Sequence, residues 1–266
     1  MKNLKNCYKR PLLAFVLFLV IQLVVGLVAA LPLLILTGLG SSLSDTYQHS
    51  ESIRFSTLAA TLIISSLVTI WVMAKPMKML TLRDSFHTTG LARGWWVIPV
   101  SFVCILASNV FSELFELPDL IGEQIDGMSN TFLGVLAIAI AGPVCEEVTL
   151  RGAIQGWLHR HGVRARWAIL FSAFLFGVMH LNPIQIPFAM YTGLILGLVY
   201  WKTQSLLMPC LIHILNNGFA CLMMNVCPED LSLVAMLGGT VPAVSLSTVI
   251  IAIGAWLLYR WSMRTE

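Results

Sequence analysis

Glu146 and Glu147 stand side by side in a stretch, 141–152, whose only other charge is Arg151 and whose remaining residues are small or apolar. Charged groups at the centre of a membrane span cost roughly 2.5–3.5 kcal/mol each, so each needs a reason. Glu147 and Arg151 are four apart and share a helix face; a buried ion bridge that fixes packing accounts for them as well as chemistry does. Glu146 points about 100° away round the helix and has no such partner nearby in sequence. Two imidazoles lie in later apolar runs, His180 closing Phe176-Gly177-Val178-Met179-His180 and His213 opening His213-Ile214-Leu215-Asn216-Asn217. A carboxylate, two imidazoles and a carboxamide in a water-poor cavity suit hydrolysis. The carboxylate takes a proton from water, and neutral donors stabilise the developing oxyanion. The same groups are ordinary Zn2+ ligands, and a bound metal would acidify its water instead; the residue types leave both routes open. The HExxH arrangement of a zinc protease helix does not occur.

The elements that must hold these groups are membrane spans. The chain has 266 residues, 58% hydrophobic and 11% charged, with mean hydropathy +0.84, far from the charged fraction of about 25% usual in soluble domains. Eight apolar segments, 11–36, 55–74, 95–115, 131–158, 167–181, 187–201, 206–226 and 242–259, are expected to be helices. The fold class is therefore all-α, a polytopic transmembrane helix bundle of about eight spans, and the short connections make residues 1–266 a single membrane domain. The first apolar run follows Lys2, Lys5, Lys9 and Arg10 and exceeds the roughly 7–15 residues of a cleavable signal core, so it is expected to remain as a span. Segments five and six, about 15 residues each, reach only about 22 Å of a ~30 Å hydrocarbon core, so the turn 182–186 is expected to dip into the bilayer under cover of neighbouring helices. Counting 1.5 Å per residue from the basic ends of the helices puts Glu146, His180 and Asn217 roughly 17–20 Å deep and His213 about 10 Å deep, which is compatible with one shared cavity. Gly152/Gly156 and Gly193/Gly197 are GxxxG pairs, expected to mark close helix packing.

Basic residues fall on alternate connections: the N-terminal tail, 75–93, 160–166, Lys202, and Arg260 with Arg264. The intervening ones hold only Arg54 among basic residues and carry Asp45, Glu51, Glu116, Asp119, Glu123, Asp126, Glu229 and Asp230. Retention of basic loops inside predicts that both termini are cytoplasmic. This topology also accounts for the net charge of +3 without nucleic acid as a partner. The six cysteines show no CxxC pairing and fall mostly in apolar runs, so Cys145, beside the glutamates, is expected to pack rather than react. His159 and His161 are expected to be solvated in a basic loop, and His49 and His87 to be loop or interfacial residues. Ser41-Ser42 reads as a turn.

The set Glu146-Glu147-x-x-x-Arg151, Phe176-x-x-x-His180 and His213-x-x-x-Asn217, in order within successive spans, resembles the CAAX protease and bacteriocin-processing (CPBP) family, also called the Abi family of intramembrane metalloproteases. The stretch 205–213 and the Gly193–Gly197 segment are also similar to that family's core, and the resemblance covers about 131–225, the expected catalytic core. Leu150 departs from it, since many members have an aromatic residue before the arginine. The resemblance implies that Glu146 activates water with help from His180, that His213 and Asn217 stabilise the oxyanion, and that Glu147 supports the site while pairing with Arg151, with Phe176 as structural support. A metal, Zn2+ if any, would be held by Glu146, His180 and His213; a metal-free glutamate mechanism is equally consistent with the family. The implied partners are a hydrophobic or membrane-anchored peptide substrate, CAAX-type or a bacteriocin precursor, and the lipid bilayer of a bacterial-type cytoplasmic membrane. Nothing in the sequence sets an oligomeric state.

Two other classes use similar residues. Ion-coupled transporters also bury Glu, His and Arg, but they often show internal repeats and paired broken helices, whereas here the polar groups are confined to segments four, five and seven. A non-catalytic immunity or scaffold protein on the same fold is the other alternative. A rhomboid-type serine protease lacks support because no Gly-x-Ser-Gly lies in a span, and a site-2-type protease because HExxH is missing.

Overall fold

The computed structural model describes residues 7–38, 51–115, 117–227 and 232–264. The readings at Lys2, Lys5, Ser41, Ser42, Asp45, His49, Glu116, Glu229 and Asp230 lie outside them. Every described regular element is helical. In chain order the main ones are α1 (Lys9–Gly38), α2 (Glu51–Ala74), α3 (Val97–Ser112), α4 (Gly122–Ser129), the long rod α5 (Phe132–Arg160), α6 (Ala165–Val178), α7 (Gln185–Thr203), α8 (Leu207–Val226) and α9 (Thr240–Ser262). Eight of these coincide with the eight apolar segments; α4 is a short addition between the third and fourth. Five, α1, α2, α5, α8 and α9, are long and apolar enough to cross a membrane, and a pair bent by 97°, Leu82–Ala92 with α3, makes a sixth if it counts as one span. Helix α6, at 14 residues, reaches about 21 Å, as expected of a shortened fifth segment, whereas α7, at 19 residues, is longer than the roughly 15 expected of the sixth, because it runs on through Gln185 and Ile186 at one end and Lys202 and Thr203 at the other.

The rod α5 is the axis of the bundle. In its apolar window 56% of residues are buried, against 17% for α1 and 22% for α9. Helices α1 and α2 cover its one side, α6 and α7 pair against its second half, and α8 crosses its first half, with α3 and α9 paired beyond. The largest core joins Phe15 and Phe18 of α1 with Val148, Leu150 and Ile154 of α5, Phe176 of α6 and Tyr200 of α7. A second joins α3, α7, α8 and α9 through Ile105, Leu196, Ile212 and Leu258. Outward positions such as Leu23, Leu27, Val249 and Ile253 stay exposed and apolar, which suits lipid.

The two ends of the bundle differ in charge and are each tied together. At the basic end Arg10 lies 4.8 Å over Trp157, Arg160 donates to the Met79 carbonyl, and Ser205 Oγ donates to the His87 carbonyl at 2.8 Å. At the acidic end Asn182 Nδ2 donates to Asp119 Oδ1 at 2.8 Å, its Oδ1 accepts from Leu120 N–H at 3.0 Å, and Ile184 N–H reaches the Pro118 carbonyl at 3.3 Å. Asn182 is fully buried, so the start of the α6–α7 turn is covered by the 118–120 segment. His159 corrects an expectation: α5 continues through Arg160, so this ring stays on its last turn, half-buried and stacked 6.5 Å from Tyr200 rather than solvated. His161 is exposed, though stacked on Trp157.

Candidate functional site

Helix α5 is not a uniform α-helix. Two stretches, Ala137–Ala141 and Val148–Gln155, are wound as π-helix and bracket an α-helical segment, Gly142–Glu147, that carries both glutamates. The first has a local cause. In the π register Gly142 N–H bonds to the Ala137 carbonyl, and the next donor in that register is Pro143, which has no N–H. The Ile138 carbonyl is thereby left for another donor, and Asn217 Nδ2 of α8 supplies it at 3.1 Å. Asn216 Nδ2 donates in turn to Asn217 Oδ1 at 3.1 Å, which holds the Asn217 carboxamide with one N–H still unassigned.

Glu147 sits at the base of the site, fully buried. Its Oε1 accepts from Arg151 Nη1 at 2.9 Å and from His213 Nδ1, also at 2.9 Å. Paired with Arg151, that carboxylate can only accept, so Nδ1 of His213 carries a proton. The other ring nitrogen, Nε2, faces Glu146 Oε2 across 3.7 Å, beyond direct hydrogen bonding. Glu146 is the more open of the two glutamates, with 20% of its side chain exposed, and its Oε2 has no hydrogen-bond partner among the described residues.

Phe176 organises the remaining groups. The Arg151 guanidinium lies 4.4 Å over its ring, and the His180 and His213 rings meet it edge-on with centroids 5.1 Å and 5.4 Å away. His180 Nδ1 is 2.7 Å from the Phe176 carbonyl, which fixes the proton on Nδ1 and leaves the Nε2 lone pair for a ligand. A further pair of contacts seats α7 on the rod: Arg151 Nη2 donates to the Gly193 carbonyl at 3.3 Å and Gln155 Nε2 to the Gly197 carbonyl at 2.8 Å. The glycines keep these approaches close, Gly193 against α6 and Gly197 against Gln155 of the rod. A Cβ at Gly193 would stand 2.9 Å from Ala173 Cα, and one at Gly197 would stand 3.0 Å from Gln155 Oε1.

A cavity of about 610 Å³ opens onto these groups and is lined by Glu146, Phe176, His180, His213, Asn216 and Asn217 among otherwise mostly apolar side chains. Its size is in the range of ligand pockets, roughly 300–1,000 Å³. The four expected reactive groups therefore border one space, with Glu147 and Arg151 beneath it. Sequence reasoning missed Gln155 and Asn216. The first had a signal, an uncharged polar residue four beyond Arg151 on a buried face; the second adjoins Asn217 in plain view. Among the described residues no three His, Cys, Asp or Glu side chains converge closely enough to hold a metal ion. The set Glu146, His180 and His213 thus lacks the geometry of a ligand shell, and no step below runs through a metal. Cys145 is buried in the main core.

Residues 128–219, which contain every one of these site residues, match the family model described as type II CAAX prenyl endopeptidase Rce1-like. The putative membrane peptidase YdiL of Bacillus subtilis (strain 168) is 22% identical over 203 residues, 73% of this chain and 81% of YdiL. The membrane-embedded CAAX protease MroQ of Staphylococcus aureus (strain USA300) is 30% identical over 103 residues, 36% of this chain and 41% of MroQ. No solved structure matches the chain. The resemblance read from the motifs is thus shared by the family model and by both relatives.

Proposed function

We propose that this multi-pass membrane protein, Rce1-like across residues 128–219, is an intramembrane endopeptidase acting on hydrophobic or membrane-anchored peptides, with Glu146 as its base. The chain is read as about eight spans with both termini cytoplasmic. The observation that carries the reading is the pairing of an accessible carboxylate with two imidazoles of set proton position around one apolar cavity.

A water held between the Glu146 carboxylate and His180 Nε2 gives one proton to Glu146 and attacks the scissile carbonyl carbon. The charge that develops on the carbonyl oxygen is met by the unassigned N–H of Asn217 and by His213 when its Nε2 carries a proton, the ring being held by Glu147 through Nδ1. Glu146 then returns its proton to the departing nitrogen as the C–N bond breaks, leaving a carboxylic acid and an amine and regenerating the Glu146 carboxylate. Water-poor surroundings strengthen each of these polar contacts.

The test is cleavage of quenched hydrophobic peptides by purified protein, with and without a chelator, comparing wild type with Glu146→Gln. The amide keeps the shape but accepts no proton, so turnover is expected to fall about 10²–10⁴-fold while the protein still folds. Wild-type turnover in that variant removes Glu146 as the base.

A further inference from the structure

The cavity has a direction. Its lining includes Glu113 at the end of α3, Ile121 and Ile125 around α4, Ile184 in the α6–α7 turn and Leu233 after α8, all at the acidic end of the bundle. Among the described residues, none from the basic-end connections lines it. On that side the space is closed by Glu147, Arg151, Leu150, Leu206 and Met208, each at most 1% exposed. The reactive groups are reached from the end that carries Glu51, Glu113, Asp119, Glu123 and Asp126, and not from the end that carries Lys75, Arg160, Arg164, Arg166, Lys202 and Arg260.

We infer that the cavity opens on the non-cytoplasmic face of the membrane and that the substrate is an apolar peptide segment presented from that face. Basic connections are retained in the cytoplasm, which puts the acidic end, and with it the mouth, outside. A modified C-terminus offered from the cytoplasm meets the closed floor of the site. A secreted or outward-facing peptide, or the outer end of a membrane-anchored one, meets the open side. This rests on the endopeptidase reading for the substrate, but the side on which the mouth lies does not depend on it.

Two measurements decide the matter in the full-length protein. Glu123→Cys on α4 and Lys202→Cys at the end of α7 are treated in intact cells with a membrane-impermeant maleimide, with the wild-type signal subtracted. Glu123→Cys is expected to label before permeabilisation and Lys202→Cys only after it; the reverse pattern overturns the inference. An impermeant quenched peptide, an apolar stretch with charged ends, is then supplied to sealed right-side-out and inside-out vesicles. Cleavage at least about tenfold faster in right-side-out vesicles is expected, and faster cleavage in inside-out vesicles overturns the assignment of substrate side. If neither vesicle nor detergent-solubilised protein cleaves any peptide, the endopeptidase reading fails and the substrate assignment with it, while the labelling still decides where the mouth lies.

Discussion

Glu147→Gln separates support from chemistry. In the wild type the Glu147–Arg151 contact is 2.9 Å with both side chains fully buried, and the guanidinium's other hydrogen bond among the described residues goes to the Gly193 carbonyl at 3.3 Å. The substituted amide would keep an oxygen for Arg151 and His213 but remove the countercharge, leaving a cation buried over the Phe176 ring. Breaking a buried pair by one partner costs about 3–5 kcal/mol. For a chain of this size each kcal/mol corresponds to about 2–4 °C, so the melting temperature is expected to fall by roughly 6–20 °C. Arg151→Met added to Glu147→Gln removes the stranded cation and should recover most of that loss, whereas Arg151→Met added to Glu146→Gln should recover no turnover. Thermal melting in detergent and peptide cleavage are measured on the same preparations. A Glu147→Gln melting point within about 2 °C of wild type, or a double variant that melts no higher than the single, refutes the idea that Glu147 chiefly serves Arg151.

Pro143→Ala restores an N–H that competes with Asn217 for the Ile138 carbonyl; melting temperature should rise while kcat falls, and unchanged kcat would dissociate Asn217 from the reaction. Gly193→Ala drives a Cβ to 2.9 Å from Ala173 Cα, so it should cost about 1–3 kcal/mol in melting experiments and lengthen the Arg151–Gly193 contact. Glu113 is pushed up by burial, but hydrogen bonds from Ser232 Oγ and from the N–H groups of Val234 and Leu233 outweigh this, and its carboxyl lies below the usual 4.5. Its clamp on the 232–234 segment is therefore expected to stabilise the fold above about pH 4.5 and to be lost as pH falls through the depressed value. Melting profiles of wild type and Glu113→Gln between pH 7 and pH 3 should converge only at the acid end.

The helices of this bundle were legible because lipid demands long apolar runs, and the one helix with charges in its interior, α5, proved to be the most buried. Glu146, His180, His213 and Asn217 could be grouped by motif spacing and by depth, and they do border one cavity. The hydrogen bonds among them could not be read the same way. The π-turn before Pro143 was visible only as a missing donor; its outcome depends on Asn217 arriving from 79 residues away to take the Ile138 carbonyl. Gln155 and Gly197 meet through a contact between segments that neither motif contains. The lining up of His213 between the two glutamates likewise depends on how far α8 is rotated, which its modest apolar asymmetry leaves undetermined until α5 is in place.

The seating of α7 on the rod bears on how the chain is made. During synthesis α5 is threaded into the bilayer before α7 exists, carrying Glu146, Glu147, Arg151 and Gln155 on a helix whose mean hydropathy is 1.7, against 3.0 for α1. Charged residues near a helix centre each oppose insertion by about 2.5–3.5 kcal/mol. The Glu147–Arg151 bridge can form within α5 alone, but Arg151 and Gln155 find their remaining acceptors only when Gly193 and Gly197 emerge about forty residues later. Until α7 comes alongside, Arg151 and Gln155 on α5 lack those acceptors, so the docking of α7 and the completion of the reactive centre are one event in assembly.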